Sequence, residues 1–127
     1  MKLLLDTCTF LWLAGGENLS EAAARVVREP SNEVLLSAAS AWEIMVKYGN
    51  GQLPLPEPPE RLIPAERRLR GIAALPFDED ASFHLARLPR LHRDPFDRML
   101  ICQAIAHGVP IVTPDPLILQ YPVRTIW

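Results

Sequence analysis

Lys2-Leu3-Leu4-Leu5-Asp6-Thr7-Cys8-Thr9-Phe10-Leu11-Trp12-Leu13 begins as a short apolar run, ends that run on a carboxylate, and passes directly into a helix-like run. A hydrophobic strand that delivers a charged group at its end, with a helix after it, is how an open α/β sheet offers that group to a ligand. Three further acids stand in comparable settings. Glu43 follows the strand-like Val34-Leu35-Leu36, Asp97 opens a helix in His92-Arg93-Asp94-Pro95-Phe96-Asp97-Arg98-Met99-Leu100, and Asp115 follows Pro110-Ile111-Val112-Thr113-Pro114. Four carboxylates at the ends of elements can make one oxygen-only metal site.

Working outward, the chain alternates strand and helix. The pattern predicts strands at about 2–6, 33–37, 72–75, 109–113 and 123–126, with helices at about 8–14, 20–29, 38–48, 59–70, 79–88 and 95–107. Ser20 caps an Ala-rich run, and the helix that starts near Ser37 stops at Gly49-Asn50-Gly51. Such alternation implies a mostly parallel sheet flanked by helices, in a single domain over residues 1–127. The segment Leu53-Pro54-Leu55-Pro56-Glu57-Pro58-Pro59 forbids helix until Pro59 serves as a first helical residue. It reads as a stiff surface connection; an SH3-type ligand is the competing reading.

Composition narrows the class. With 127 residues, 49% hydrophobic and 22% charged, the chain is globular and long enough to bury a core without staples. No apolar run reaches membrane-spanning length, and the three leucines of the opening are too few for a signal peptide, so a cytoplasmic location without membrane contact is expected. Cys8 and Cys102 sit in apolar helix-like runs and read as two buried, reduced thiols. His84, His92 and His107 have no zinc-ligand spacing. Net charge is −2, yet 15 − 4 = 11 acids outside the four-acid set face 13 Lys+Arg, which leaves the remaining surface mildly basic.

Each acid also has a structural explanation. Asp6 can cap the helix that begins at Thr7, and Glu43 can pair with Lys47 one turn on, for roughly 0.3–0.5 kcal/mol. Asp94 suits an N-cap, with Pro95 at N1 and Asp97 at N3, where the helix dipole welcomes negative charge; Asp115-Pro116 repeats the device. Capping does not explain why Asp6 and Asp115 both follow apolar strands, whose carboxyl ends share one edge in a parallel sheet, nor does it account for Glu43. Carboxylates gathered there repel, so either their pKa values rise or a cation enters; hard oxygen ligands without His or Cys select Mg²⁺ or Mn²⁺, with phosphoryl oxygens as the matching substrate.

Over nearly its whole length the sequence resembles the PIN-domain ribonucleases, and within them the VapC-type toxins of bacterial toxin–antitoxin modules. Leu3-Leu4-Leu5-Asp6-Thr7 matches the family's first strand and first acid, Ser40-Ala41-Trp42-Glu43-Ile44 the helix with the second, His92–Ala104 the stretch with the third at Asp97, and Val112-Thr113-Pro114-Asp115 the fourth. The resemblance implies a three-layer α/β/α fold around a twisted, mostly parallel sheet of about five strands. It further implies Mg²⁺- or Mn²⁺-dependent endonucleolytic cleavage of RNA, with metal held by Asp6, Glu43, Asp97 and Asp115, and a homodimer bound to a cognate antitoxin.

Thr7, Thr113 and Asp94 are candidates to orient a ligating carboxylate or a water, against ordinary turn and cap bonding. Arg93 and Arg98, with Arg87 and Arg90, are candidates to hold an RNA backbone, against a solvated, salt-bridged face. Trp12 and Trp42 are expected in the core or a dimer contact. A phosphatase of the haloacid dehalogenase type wants a second acid where Cys8 stands. The remaining alternative is a catalytically inactive PIN-like module that binds a partner protein.

Overall fold

Why the chain folds into two cores is visible in the alternation along its strands. The computed structural model describes residues 1–127 and contains five strands and seven α-helices. The strands are β1 (Lys2–Leu5), β2 (Glu33–Ser37), β3 (Ile72–Leu75), β4 (Ile111–Val112) and β5 (Thr125–Ile126). All four strand pairings are parallel, in the order β3-β2-β1-β4-β5. Leu4, Leu35 and Ile111 point to one face, where they pack with Leu100, Ile101 and Ile118. Leu3, Leu5, Val34, Leu36, Ile72 and Val112 point to the other, against Phe10, Ile44, Leu62 and Ile63. Side chains two apart share a face, so runs such as Leu3–Leu5 supply both layers at once and give the three-layer α/β/α arrangement.

The helices are α1 (Thr7–Ala14), α2 (Glu21–Arg28), α3 (Ala38–Gly49), α4 (Pro59–Arg70), α5 (Glu79–Phe83), α6 (Pro95–His107) and α7 (Pro116–Leu119). The caps expected at Ser20 and Asp94 form, and Pro59 takes the first position of α4. Gly108 ends α6 in the left-handed conformation, where a Cβ would be strained. Differences from the sequence reading lie at breaks. The helix expected over 79–88 stops at Phe83 and continues as a 3-10 turn, His84–Arg87. Strands expected over 109–113 and 123–126 shorten to two residues each, and the cap read at Asp115-Pro116 starts a short helix, α7, that was not among the expected helices. No helix is long and apolar enough to cross a membrane.

The strand order positions the site. After β1 the chain builds outward through β2 and β3, then returns to pair β4 on the other side of β1. The carboxyl ends of β1 and β4 therefore flank the point where the topology reverses, the place at which open α/β sheets bind ligands.

Candidate metal and active site

Asp6 is the first residue beyond β1, and its register partner beyond β4 is Thr113. Although Asp6 occupies the N-cap position of α1, its side chain makes no capping bond. Instead Thr113 Oγ1 donates to Asp6 Oδ2 at 2.8 Å, while the same hydroxyl accepts from the Asp115 backbone N–H at 3.0 Å. Asp6 is 3% exposed. Burial, then the neighbouring charges of Asp115 and Glu43, outweigh the Thr113 bond and lift its carboxyl from 3.8 to about 6.

Glu43 and Asp97 reach the same neighbourhood from α3 and α6. Asp97 is buried, and burial together with the charges of Asp94, Asp6 and Glu43 raises its carboxyl to about 7, opposed by a bond to His92. Glu43 is 4% exposed; its Oε2 meets Lys47 Nζ at 2.5 Å, whereas its Oε1 is buried without any hydrogen-bond partner. The helical ion pair read from the sequence thus forms but satisfies only half of the carboxylate. An orphaned buried carboxylate oxygen is costly and asks for a ligand.

The remaining candidates divide. Asp94 does cap α6, accepting from the N–H groups of Phe96 and Asp97, and Asp115 caps α7 through Leu117. Both still contribute charge, Asp94 to Asp97 and Asp115 to Asp6. Thr7 touches no acid through its side chain; it donates to Ser40 Oγ at 2.8 Å and ties α1 to α3. Arg93 is exposed and Arg98 half-buried, with one bond to the His92 carbonyl; both border a groove of about 1340 Å³ shared with Arg90, Phe83 and Leu91.

Hydropathy is inverted on two helices, and the site is the reason. On α1 the threonines Thr7 and Thr9 turn inward, Thr9 donating to the Val112 carbonyl at 2.8 Å, so Cys8 is exposed and not buried as expected. Partial burial of its sulfur and the charges of Asp6 and Glu43 push the thiol up to about 11, which keeps it protonated. On α3 the inward residues include Ser40 and Glu43, which leaves Trp42 67% exposed beside Met45 and Val46; of its two expected places, core or dimer contact, this excludes the core. Trp12 is half-buried, edge-on to Trp127 at 5.6 Å. Sequence reading also missed Ser37, whose hydroxyl donates to Gln103 at 2.5 Å, and the pair His92 and Tyr121. A hydroxyl at the end of β2 was the available signal for Ser37.

The donor set fits a hard divalent cation. Its oxygens are carboxylates, the Glu43 Oε1 atom is buried without a partner, and burial with neighbouring acids raises the Asp6 and Asp97 carboxyls to about 6 and about 7. No three His, Cys, Asp or Glu side chains stand close enough to form a ready-made cage. Lys47, His92 and Thr113 each contact one of the acids.

A family model described as PIN domain matches residues 3–122. The chain belongs to the PIN-domain family. This PIN domain is 42% identical over 59 residues to a Mycobacterium tuberculosis protein named Ribonuclease VapC16; the match spans 46% of the chain and 42% of that relative's length. Its fold is similar to that in the crystal structure of VapBC2 from Rickettsia felis bound to a promoter DNA fragment, with a TM-score of 0.74 at 15% identity, covering 98% of this PIN domain and 97% of that chain. DNA-bound VapBC from Salmonella typhimurium is similar too, with a TM-score of 0.69 at 20% identity over 98% and 96% of the two chains.

Proposed function

We propose that this PIN domain is a Mg²⁺- or Mn²⁺-dependent endoribonuclease that acts as the toxin of a toxin–antitoxin module. The observation that carries the reading is the buried, partnerless Oε1 of Glu43 in one electrostatic neighbourhood with Asp6 and Asp97. Asp6, Glu43 and Asp97 would hold the cation, with Asp115 assisting through the oxygen that its cap leaves free. When bound, such a cation screens phosphodiester charge and lowers the pKa of water for in-line attack. Thr113 fixes the Asp6 rotamer, and Asp94 holds the first turn of α6 that carries Asp97. No side-chain nucleophile is called for, in keeping with a protonated Cys8. Arg93 and Arg98, at the edge of the neighbouring groove, are placed to meet an RNA backbone.

The name of the M. tuberculosis relative supports RNA as substrate, and the VapBC assemblies support a bound antitoxin. An antitoxin cation can fill the acidic pocket in place of metal. The outward face of α3, Trp42 with Met45 and Val46, offers an apolar surface for the antitoxin or for a second copy of the chain in a homodimer. The rival reading, an inactive interaction module, draws on Asp94 and Asp115 serving as caps. One experiment separates them. The purified protein should cleave RNA internally with Mg²⁺ or Mn²⁺ and lose that activity in EDTA; an intact RNA pool with either ion present rejects the nuclease.

A further inference from the structure

The hydrogen bonds around Asp97 continue through two side chains that the reading above leaves without a task. His92 Nε2 lies 3.2 Å from Asp97 Oδ2, and His92 Nδ1 lies 2.8 Å from the Tyr121 hydroxyl. The two rings meet edge to face with centroids 5.3 Å apart, and Tyr121 is buried in the core layer beside α6. The acid sets the direction of these bonds. An ionised Asp97 carboxylate only accepts, so Nε2 donates to it and Nδ1 is left to accept the phenol proton, while the Tyr121 oxygen accepts the backbone N–H of His92 at 3.3 Å. With Nδ1 accepting, a neutral imidazole carries its proton on Nε2 and gives it to the carboxylate.

We propose that His92, oriented by Tyr121, is a positioning residue that fixes the Asp97 carboxylate through Oδ2 and leaves Oδ1 to ligate the cation. The inference rests on the metal reading given above. Three features distinguish this ring from a histidine merely satisfied in a core. Both of its nitrogens are engaged, one engages a candidate ligand, and Asp97 Oδ1 makes no hydrogen bond within the chain. A carboxylate anchored through one oxygen has less freedom to lose when a cation arrives, and outer partners of this kind typically set tenfold to hundredfold in metal affinity. The contact also couples the segment behind α7 to the start of α6, so that two crossovers agree on where Asp97 points.

The test uses the full chain, nitrogen-labelled at histidine, with Mn²⁺ as the probe. Long-range proton–nitrogen spectra of the wild type should show His92 as the Nε2–H tautomer, and Tyr121→Phe should abolish that preference. In Mn²⁺ titrations read by electron paramagnetic resonance, His92→Ala should weaken binding about 10–100-fold, and His92→Gln, whose amide can still donate to Asp97, should stay within about threefold of wild type. If His92→Ala does not fold, His92→Gln and Tyr121→Phe together with the tautomer still decide. An Nδ1–H tautomer, an alanine variant that binds Mn²⁺ as well as wild type, or a glutamine variant as weak as the alanine one overturns the proposal alone. A wild type that takes up no Mn²⁺ overturns the metal reading, and this inference with it.

Discussion

Without divalent metal, acidification should strengthen the fold through Asp6, and Asp6→Asn should remove that effect. Burial is the main reason why the Asp6 carboxyl rises from 3.8 to about 6. The folded chain then keeps a proton that the unfolded chain releases, so stability declines as pH climbs from 3.8 through about 6 and is level above. Converted at roughly 1.4 kcal/mol per tenfold, the difference amounts to about 3 kcal/mol. Asparagine keeps an oxygen for the Thr113 hydroxyl and never ionises. Urea unfolding in EDTA near pH 7.5 should therefore find Asp6→Asn more stable than wild type by up to about 3 kcal/mol, a midpoint gap of roughly 1 M or more. Below about pH 4 the gap should close, because both chains are then neutral at this position. Saturating Mn²⁺ should close it from the other side by binding the ionised wild type alone. A gap that does not change with pH, or a wild type that is the more stable near neutrality, would refute the claim that Asp6 is held in an unfavourable charged state.

Asp97→Asn should abolish RNA cleavage while the fold persists, because the amide keeps the shape and loses a charged ligand. Asp94→Ala should cost about 0.5–2 kcal/mol by thermal or urea unfolding, with cleavage kept in the folded fraction; the opposite assignment would reverse these results. Thr113→Val removes the donor to Asp6 and the acceptor of the Asp115 N–H, and should destabilise by about 1–3 kcal/mol near neutral pH and by less in acid. Expression of the chain alone should arrest growth, co-expression with the neighbouring gene should restore it, and Trp42→Ser should weaken assembly on size-exclusion chromatography with little loss of monomer stability.

What the sequence disclosed and what it hid divide along contact range. Caps and helical pairs were legible because all their partners lie within a few residues: Asp94 with Phe96, Asp115 with Leu117, Glu43 with Lys47. The parallel sheet was legible because apolar runs such as Leu3–Leu5 serve two faces at once. Long-range polar partners were not. Thr113 was named as a candidate, but its bond to Asp6 spans 107 residues, and Ser37 finds Gln103 across 66. His92 and Tyr121 meet only because α7 and the turn after it fold back over α6.

The misplacements share one cause. Hydropathy assigns Cys8 and Trp42 to the interior, but α1 and α3 are rotated by what their polar residues need at the sheet edge. Thr7 bonds Ser40 and Thr9 bonds the Val112 carbonyl, so these hydroxyls are satisfied inside, and the thiol and the indole at the intervening positions face outward.

The position of β4 in the sheet has a consequence for synthesis. The hydroxyl that holds Asp6 arrives on a strand made 107 residues later. At ordinary translation speeds that interval is roughly 5–20 s. For that time the first acid has left the decoding centre while the strand that completes its pocket does not yet exist. The acidic pocket around Asp6 therefore cannot close until Thr113 has emerged and the last crossover docks.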